Sequence, residues 1–150
     1  MSMFSAFNIS ATGMTAQRYR MDIISQNVAN ASTTRTENGT PYRRQVVTFA
    51  EKPGQTSFSH VLGKAAYSHG YSGNGVKVSG VFEDHETEMN MVYDPSHPDA
   101  DENGYVSYPN VNIITEMTNM IDASRAYEAN STAFNASKSI ALKGLQIGQQ

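Results

Sequence analysis

The acidic segment 99–105, Asp-Ala-Asp-Glu-Asn-Gly-Tyr, is the part of this 150-residue sequence with the clearest potential for site chemistry. Its residue types match the first seven positions of an EF-hand calcium loop, in which carboxylate and amide oxygens bind the ion and a glycine makes a sharp turn. The twelfth position, where a bidentate glutamate is required, is Asn110, and Pro109 precedes it. We therefore favour a turn, because Asp, Asn and Gly form turns without any metal. A soluble calcium-binding module that uses residues 94–110 is kept as an alternative.

The other candidates for catalysis or metal binding lack a committed spacing. Cysteine is absent, and no Gly-x-Ser-x-Gly elbow, dinucleotide fingerprint or phosphate loop occurs. The net charge of −3 gives no general attraction to nucleic acid or to anionic membranes. We expect no enzyme activity, no catalytic, cofactor-binding or metal residues, no cofactor, no nucleic-acid partner and no direct lipid binding. The histidines form no i, i+4 ligand pair; they are His60, His69, His85 and His97.

The segment 4–30 predicts an N-terminal helix, because apolar residues recur along it in steps of three and four. Such a helix would be about 40 Å long. Gly13 weakens it by up to about 1 kcal/mol relative to alanine, so the helix is not strongly stable alone. Asparagine and small residues over 25–33 end it. The predicted helix-packing residues on its apolar stripe are Phe7, Met14, Met21 and Val28.

The segment 111–147 predicts a second helix, roughly 50 Å long or more. Asn110 or Asn112 can cap its first turn, with Glu116 near its positive end. Several alanines give it a smooth surface on which neighbouring helices could lie close. The predicted helix-packing residues on its stripe are Met117, Met120, Tyr127 and Phe134.

The middle region, residues 31–110, predicts short strands and loops. Strands are expected over 45–49, 76–82 and 89–93, and residues 52–75 are expected to form a mobile loop. No lysine or arginine occurs between Lys77 and Arg125, whereas basic residues cluster earlier in the chain. We expect a solvated acidic face, with the alternative that it meets a basic patch on a neighbouring copy.

The predicted fold is mainly α with a small β-rich insert. Long N- and C-terminal helices pair as an antiparallel coiled coil, and a middle region of loops and short strands joins them. Residues 1–30 plus 111–150 would form one discontinuous helical domain, and residues 31–110 the other part. Because two helices alone bury too little surface, other subunits are expected to complete the core. This favours assembly over catalysis.

Both ends carry motifs of a known family. Residues 25–33 read Ser-Gln-Asn-Val-Ala-Asn-Ala-Ser-Thr, and residues 125–130 read Arg-Ala-Tyr-Glu-Ala-Asn. With Glu116-Met117, they resemble the signatures of the bacterial flagellar rod and hook family. The middle region resembles the proximal-rod members of that family at residues 33–36, 41–44, 75–78, 92–101 and 104–112.

The resemblance implies a structural subunit of the flagellar basal-body proximal rod. Such subunits polymerise through their terminal helices into the axial drive shaft that transmits torque to hook and filament. The implied location is the basal body, outside the cytoplasmic membrane, and the implied partners are copies of itself and other rod proteins. The first twenty residues do not resemble a secretory signal, which agrees with transport through the flagellar type III export apparatus.

Two further expectations follow from the resemblance. The asparagines of its motifs, Asn27, Asn30 and Asn130, would make polar register contacts. An alternative within the same family is another axial subunit, of the distal-rod or hook type.

Overall fold

Two long helices dominate the computed structural model, which describes residues 3–53 and 73–148. Helix α1 spans Met3–Ala29 and helix α2 spans Ile113–Ile147. Helix α2 is capped by Asn112, whose side-chain oxygen accepts hydrogen bonds from the backbone N–H groups of Ile114 (3.0 Å) and Thr115 (3.2 Å). The two predicted terminal helices are confirmed, and of the two asparagines considered as the cap it is Asn112 that serves.

The helices lie side by side and run antiparallel. The ring of Phe7 packs edge-on against that of Phe134, with 5.0 Å between centroids. Near the other end, the Asn27 side chain donates a hydrogen bond to Glu116. Residues later in α1 therefore contact residues earlier in α2, as antiparallel helices require. A supercoil with heptad packing stays a prediction.

The middle region forms two small antiparallel sheets. Strand β1 (Gln45–Glu51) pairs with β2 (Val76–Glu83), from Gln45 opposite Glu83 to Glu51 opposite Val76. Strand β3 (Asn90–Tyr93) pairs with β4 (Tyr105–Tyr108). Strand β4 is a fourth strand beyond the three that the sequence predicts. Residues 54–72, which hold His60, His69 and most of the predicted mobile loop, lie outside the described residues.

The acidic segment 99–105 forms a turn in the second part of the connection between β3 and β4, and ends at the first residue of β4. A side-chain oxygen of Asp101 accepts the backbone N–H groups of Asn103 (2.9 Å) and Tyr105 (2.8 Å). Gly104 adopts φ +81°, a left-handed conformation that favours glycine. The Asp99 carboxylate accepts a hydrogen bond from the Thr34 hydroxyl at 2.8 Å. These carboxylates thus serve the turn and its neighbours, and the calcium-binding alternative has no support.

The apolar core is thin. Large side chains are mostly half-buried or exposed, so tight packing is confined to a few positions. Among the described residues, the buried apolar side chains are Ala16, Ile23, Ile24, Val106 and Ala123.

Candidate functional site

A buried polar cluster, formed by Asn27, Tyr42, Arg44, Asn110 and Glu116, joins both terminal helices to the middle region. The Glu116 carboxylate lies at its centre, and this residue is only 1% exposed. Glu116 Oε1 accepts hydrogen bonds from Arg44 Nε (2.9 Å) and Nη2 (2.8 Å), while Oε2 accepts one from Asn27 Nδ2 (2.9 Å). A buried carboxylate is costly unless it is paired and hydrogen-bonded, and here it is both.

The side-chain amide of Asn27 makes hydrogen bonds to three other residues. Its Oδ1 accepts the Tyr42 hydroxyl (2.8 Å) and the Gln45 backbone N–H (2.9 Å). Its Nδ2 donates to the Gln45 carbonyl oxygen (2.9 Å) as well as to Glu116. One side chain of α1 therefore binds the first residue of β1 as a neighbouring strand would, and also reaches α2.

Asn110 makes the corresponding connection from the segment that enters α2. Its Oδ1 accepts the backbone N–H of Arg44 at 2.9 Å. Its Nδ2 donates to the carbonyl oxygens of Asp84 (2.9 Å) and Thr87 (3.1 Å) in the turn after β2. Asn110 thus connects the segment before β1 and the segment after β2 to the start of α2.

The electrostatics of the cluster favour a fixed arrangement. Burial and the negative charges of Glu116 and Glu83 raise the pKa of Tyr42, so its hydroxyl stays a neutral donor to Asn27. Hydrogen bonds from the backbone and hydroxyl of Thr87 lower the pKa of Asp84, whose carboxylate lies 3.6 Å from Arg44 Nη1. The cluster can clamp elements together, but it presents no free nucleophile or base.

A metal site is absent from residues 3–53 and 73–148, since no group of three or more His, Asp or Glu side chains there is placed to hold an ion. Nor is any helix there long and apolar enough to cross a membrane.

Gly13 of α1 faces the Asn130 side chain of α2 across the helix pair. A Cβ atom on Gly13 would stand only 2.6 Å from Asn130 Oδ1 and 2.9 Å from its Cγ. Asn130 Nδ2 donates to the Ala126 carbonyl oxygen within α2 (2.8 Å), which holds the side chain in place. Asn30 bonds locally, to the Gln26 carbonyl oxygen and the Thr33 hydroxyl.

The predicted packing residues differ in how far they are buried between the two helices. Phe7 and Phe134 meet each other. Met117 is 58% exposed and lies largely outside the helix pair, whereas Tyr127 is 36% exposed and is therefore mostly covered. The remaining predicted packing residues are half-buried: Met14, Met21, Val28 and Met120.

Sequence reasoning placed Glu116 at the positive end of a helix and missed its buried role with Arg44. A usable signal existed. Glu116 lies three residues after Ile113 and four before Met120, on the apolar stripe, where a carboxylate needs a partner. The sequence did not indicate which residue would be the partner, because Arg44 lies 72 residues away.

Large aliphatic side chains remain exposed at both ends of α2. Monomeric proteins rarely leave large contiguous apolar patches uncovered, and such patches mark interaction sites. The exposed residues are Ile113, Ile114, Met117 and Ile121 near its start, and Ile140, Leu142, Leu145 and Ile147 near its end.

Known proteins match the chain along nearly its whole length. The family described as "Flagella basal body rod protein" matches residues 7–35, and "Flagellar basal body rod FlgEFG protein C-terminal" matches residues 102–147. Flagellar basal-body rod protein FlgC of Bacillus subtilis is 47% identical, covering 99% of this chain and 100% of the relative. The FlgC proteins of Borreliella burgdorferi (46%; 99% of each chain) and Salmonella typhimurium (37%; 99% and 100%) are similar over the same extent.

The paired terminal helices and these matches define a structural protein of the flagellar basal body, not an enzyme. The chain belongs to the flagellar basal-body rod protein family, of the FlgC type. The resemblance found in the sequence is confirmed, as is the location in the basal body. Membership implies assembly with other rod components.

Proposed function

We propose that this rod subunit polymerises through the outer faces of its terminal helices, with copies of itself and other rod proteins, to form the proximal part of the axial drive shaft. One observation carries the proposal: large apolar side chains stay exposed along α2, while the buried apolar core of the described residues is very small. A monomer would gain little from such a surface. Subunits that cover one another's helices would bury it.

Within this proposal, the predicted packing residues have two roles. Phe7 and Phe134 hold one end of the helix pair together, and Met14, Met21, Val28 and Met120 contribute to packing along its length. Met117 and Tyr127 face neighbouring subunits. The two helices, residues 1–30 plus 111–150, form an inner coiled-coil layer, and residues 31–110 lie outside it.

We further propose that the polar cluster makes the subunit stiff enough to transmit torque. Glu116 and Asn27 connect the two helices, and Arg44 and Asn110 connect them to the middle region. Directional hydrogen bonds to a buried charge resist sliding better than an apolar contact of low relief does. Asn27, Asn30 and Asn130 are proposed to set the register between elements.

Transport to the assembly site is proposed to use the flagellar type III export apparatus. Two thin sheets and a helix pair with a small core would unfold readily for passage through a narrow channel. Blocking that apparatus should keep the subunit in the cytoplasm. Its appearance outside such cells would contradict this part of the proposal.

The test of the assembly surface is a pair of substitutions at one exposed position. Met117→Asp should abolish motility, because it would bury an unpaired charge between subunits. Met117→Leu keeps the apolar surface and should leave motility close to that of the unaltered protein. Swimming in soft agar and the presence of the subunit in purified basal bodies are the measurements.

Stability measurements on the isolated chain separate assembly from folding. Because Met117 is 58% exposed, Met117→Asp should change the free energy of unfolding by less than about 0.5 kcal/mol. Normal motility of Met117→Asp would refute the proposed outer face. A large loss of stability would show that Met117 packs within the subunit instead.

A further inference from the structure

We propose that copies of this chain associate head to tail, with the last turns of α2 in one copy docking on a groove at the start of α2 in the next. This inference rests on the proposed rod function and names one of its interfaces. The docking segment is residues 138–147, here called the α2 tail. Because Phe7 lies against Phe134 and α1 starts only four residues earlier, the α2 tail continues past the start of α1.

The α2 tail is apolar on more than one side. At 100° per residue, Ile140 and Ile147 share one side, and Leu142 and Leu145 share another. All four are more than half exposed. Exposed large apolar side chains that cluster on a helix mark an interaction site, and the described part of the single chain does not cover these four.

The acceptor is a shallow groove of about 600 Å³ at the junction of β3 and α2. Its apolar lining continues along α2 through the exposed side chains of Met117 and Ile121. One carboxylate, that of Glu88, also lines it. The apolar lining residues are Met89, Pro109, Val111, Ile113 and Ile114.

The charges of the two surfaces are complementary. The only charged residues of the α2 tail are Lys138 and Lys143, and no Asp or Glu follows Glu128. The groove lies in the part of the chain, residues 78–124, that has no lysine or arginine. Opposite charges at the rim of an apolar contact favour this pairing and disfavour tail-to-tail or groove-to-groove contacts.

The geometry requires the partner to be another molecule. The groove and the tail lie at opposite ends of one 35-residue helix, about 50 Å apart. They cannot meet within one chain. A contact between two different surfaces of identical subunits is heterologous and repeats without closing, as a rod requires.

The chain's lack of cysteine allows a direct test by cross-linking. We would place Glu88→Cys in one copy and Lys143→Cys in another, express both in one motile strain, and treat purified basal bodies with a short bis-maleimide. A product of about twice 16.4 kDa is expected, and neither variant alone should give it. The matched control pairs Glu88→Cys with Glu128→Cys in mid-α2, which should give no product.

The outcomes separate this inference from the proposed function. Basal bodies that contain both variants but yield no product, or that link them only to a protein of another mass, would overturn the head-to-tail contact and leave the rod function intact. Binding of the unaltered chain to anionic phosphatidylglycerol vesicles, lost in Lys143→Glu, would assign the α2 tail to a lipid surface and overturn the inference as well.

Charge reversal gives a second, independent measurement in cells. Glu88→Lys and Lys143→Glu should each lower the fraction of flagellated cells up to about fivefold, the range of a rim ion pair. The double variant should return to within about twofold of the unaltered protein. A double variant as impaired as the product of the two single effects would refute the contact.

Discussion

At the scale of single residues, Glu116 is a charged side chain that is almost completely buried. Its carboxylate is removed from water and is compensated by the Arg44 guanidinium and the Asn27 amide. The desolvation cost of burying a charge can exceed the Coulombic gain, so the pair need not add net stability. Its value is directional, since these hydrogen bonds join α1, α2 and the start of β1 in one arrangement.

Removing the carboxylate should therefore be more harmful than the pair's net contribution suggests. Glu116→Ala removes one of the two acceptors of Asn27 Nδ2 and the acceptor of Arg44 Nε and Nη2, and should lower the free energy of unfolding by about 3 kcal/mol. Urea unfolding of the full chain is the measurement. Glu128→Ala, an exposed position on the same helix, is the control and should change it by less than about 0.5 kcal/mol. Equal effects of the two substitutions would refute the clamp.

At the scale of elements, a glycine of α1 leaves room for a side chain of α2. Glycine is unfavourable inside a helix, yet Gly13 lies in the middle of α1. The space that its missing Cβ would occupy is taken by the Asn130 side chain. The element thus loses helix stability so that the pair can approach closely.

Two glycines should consequently respond in opposite ways to alanine. Gly13→Ala should destabilise the chain by about 1 kcal/mol or more, because Asn130 must leave its position and lose its bond to Ala126. Gly144→Ala should stabilise α2 by up to about 1 kcal/mol, since nothing lies within 4 Å of the new Cβ. Thermal unfolding of both variants tests this.

Asn130→Ala provides the control for the clash. Combined with Gly13→Ala, it should recover most of the lost stability by opening the space. If Gly13→Ala alone stabilises the chain, the new Cβ does not clash with Asn130. The glycine is then not needed for the packing of the two helices.

At the scale of the whole molecule, the two ends of the helix pair are held differently. The end near Asn27 is joined to both α2 and the middle region by the polar cluster. The opposite end has the Phe7–Phe134 contact and the uncovered α2 tail. A subunit that is ordered at one end and incomplete at the other is suited to adding onto a growing polymer.

This difference predicts a gradient of hydrogen exchange along α2 in the isolated chain. Amides of residues 117–123, next to the polar cluster, should exchange at least about 100-fold more slowly than those of residues 140–147. Peptide-resolved exchange measured by mass spectrometry checks this. Uniform protection of α2 in a monomer would mean a self-contained helix pair, with no need for neighbours at its tail.

The parts of the fold that sequence predicted depend on local signals. The terminal helices follow from the spacing of apolar residues, the start of α2 from a capping asparagine, and β1 and β2 from alternating side chains. The turn at residues 99–105 follows from its own residue types. Strand β4, which is only four residues long, was not predicted.

The sequence by itself therefore determined the helices at both ends, the turn at residues 99–105 and the family, since each depends on residues close together in the chain. Only the tertiary structure decided which side of each helix is turned inward. The apolar stripes of α1 and α2 contrast little with the rest of each helix surface. Alanine, glycine and serine make several sides of each helix nearly equal in hydrophobicity. The choice falls to polar contacts between residues 18 to 89 positions apart, such as Asn27 with Gln45 and with Glu116, and no local pattern specifies those.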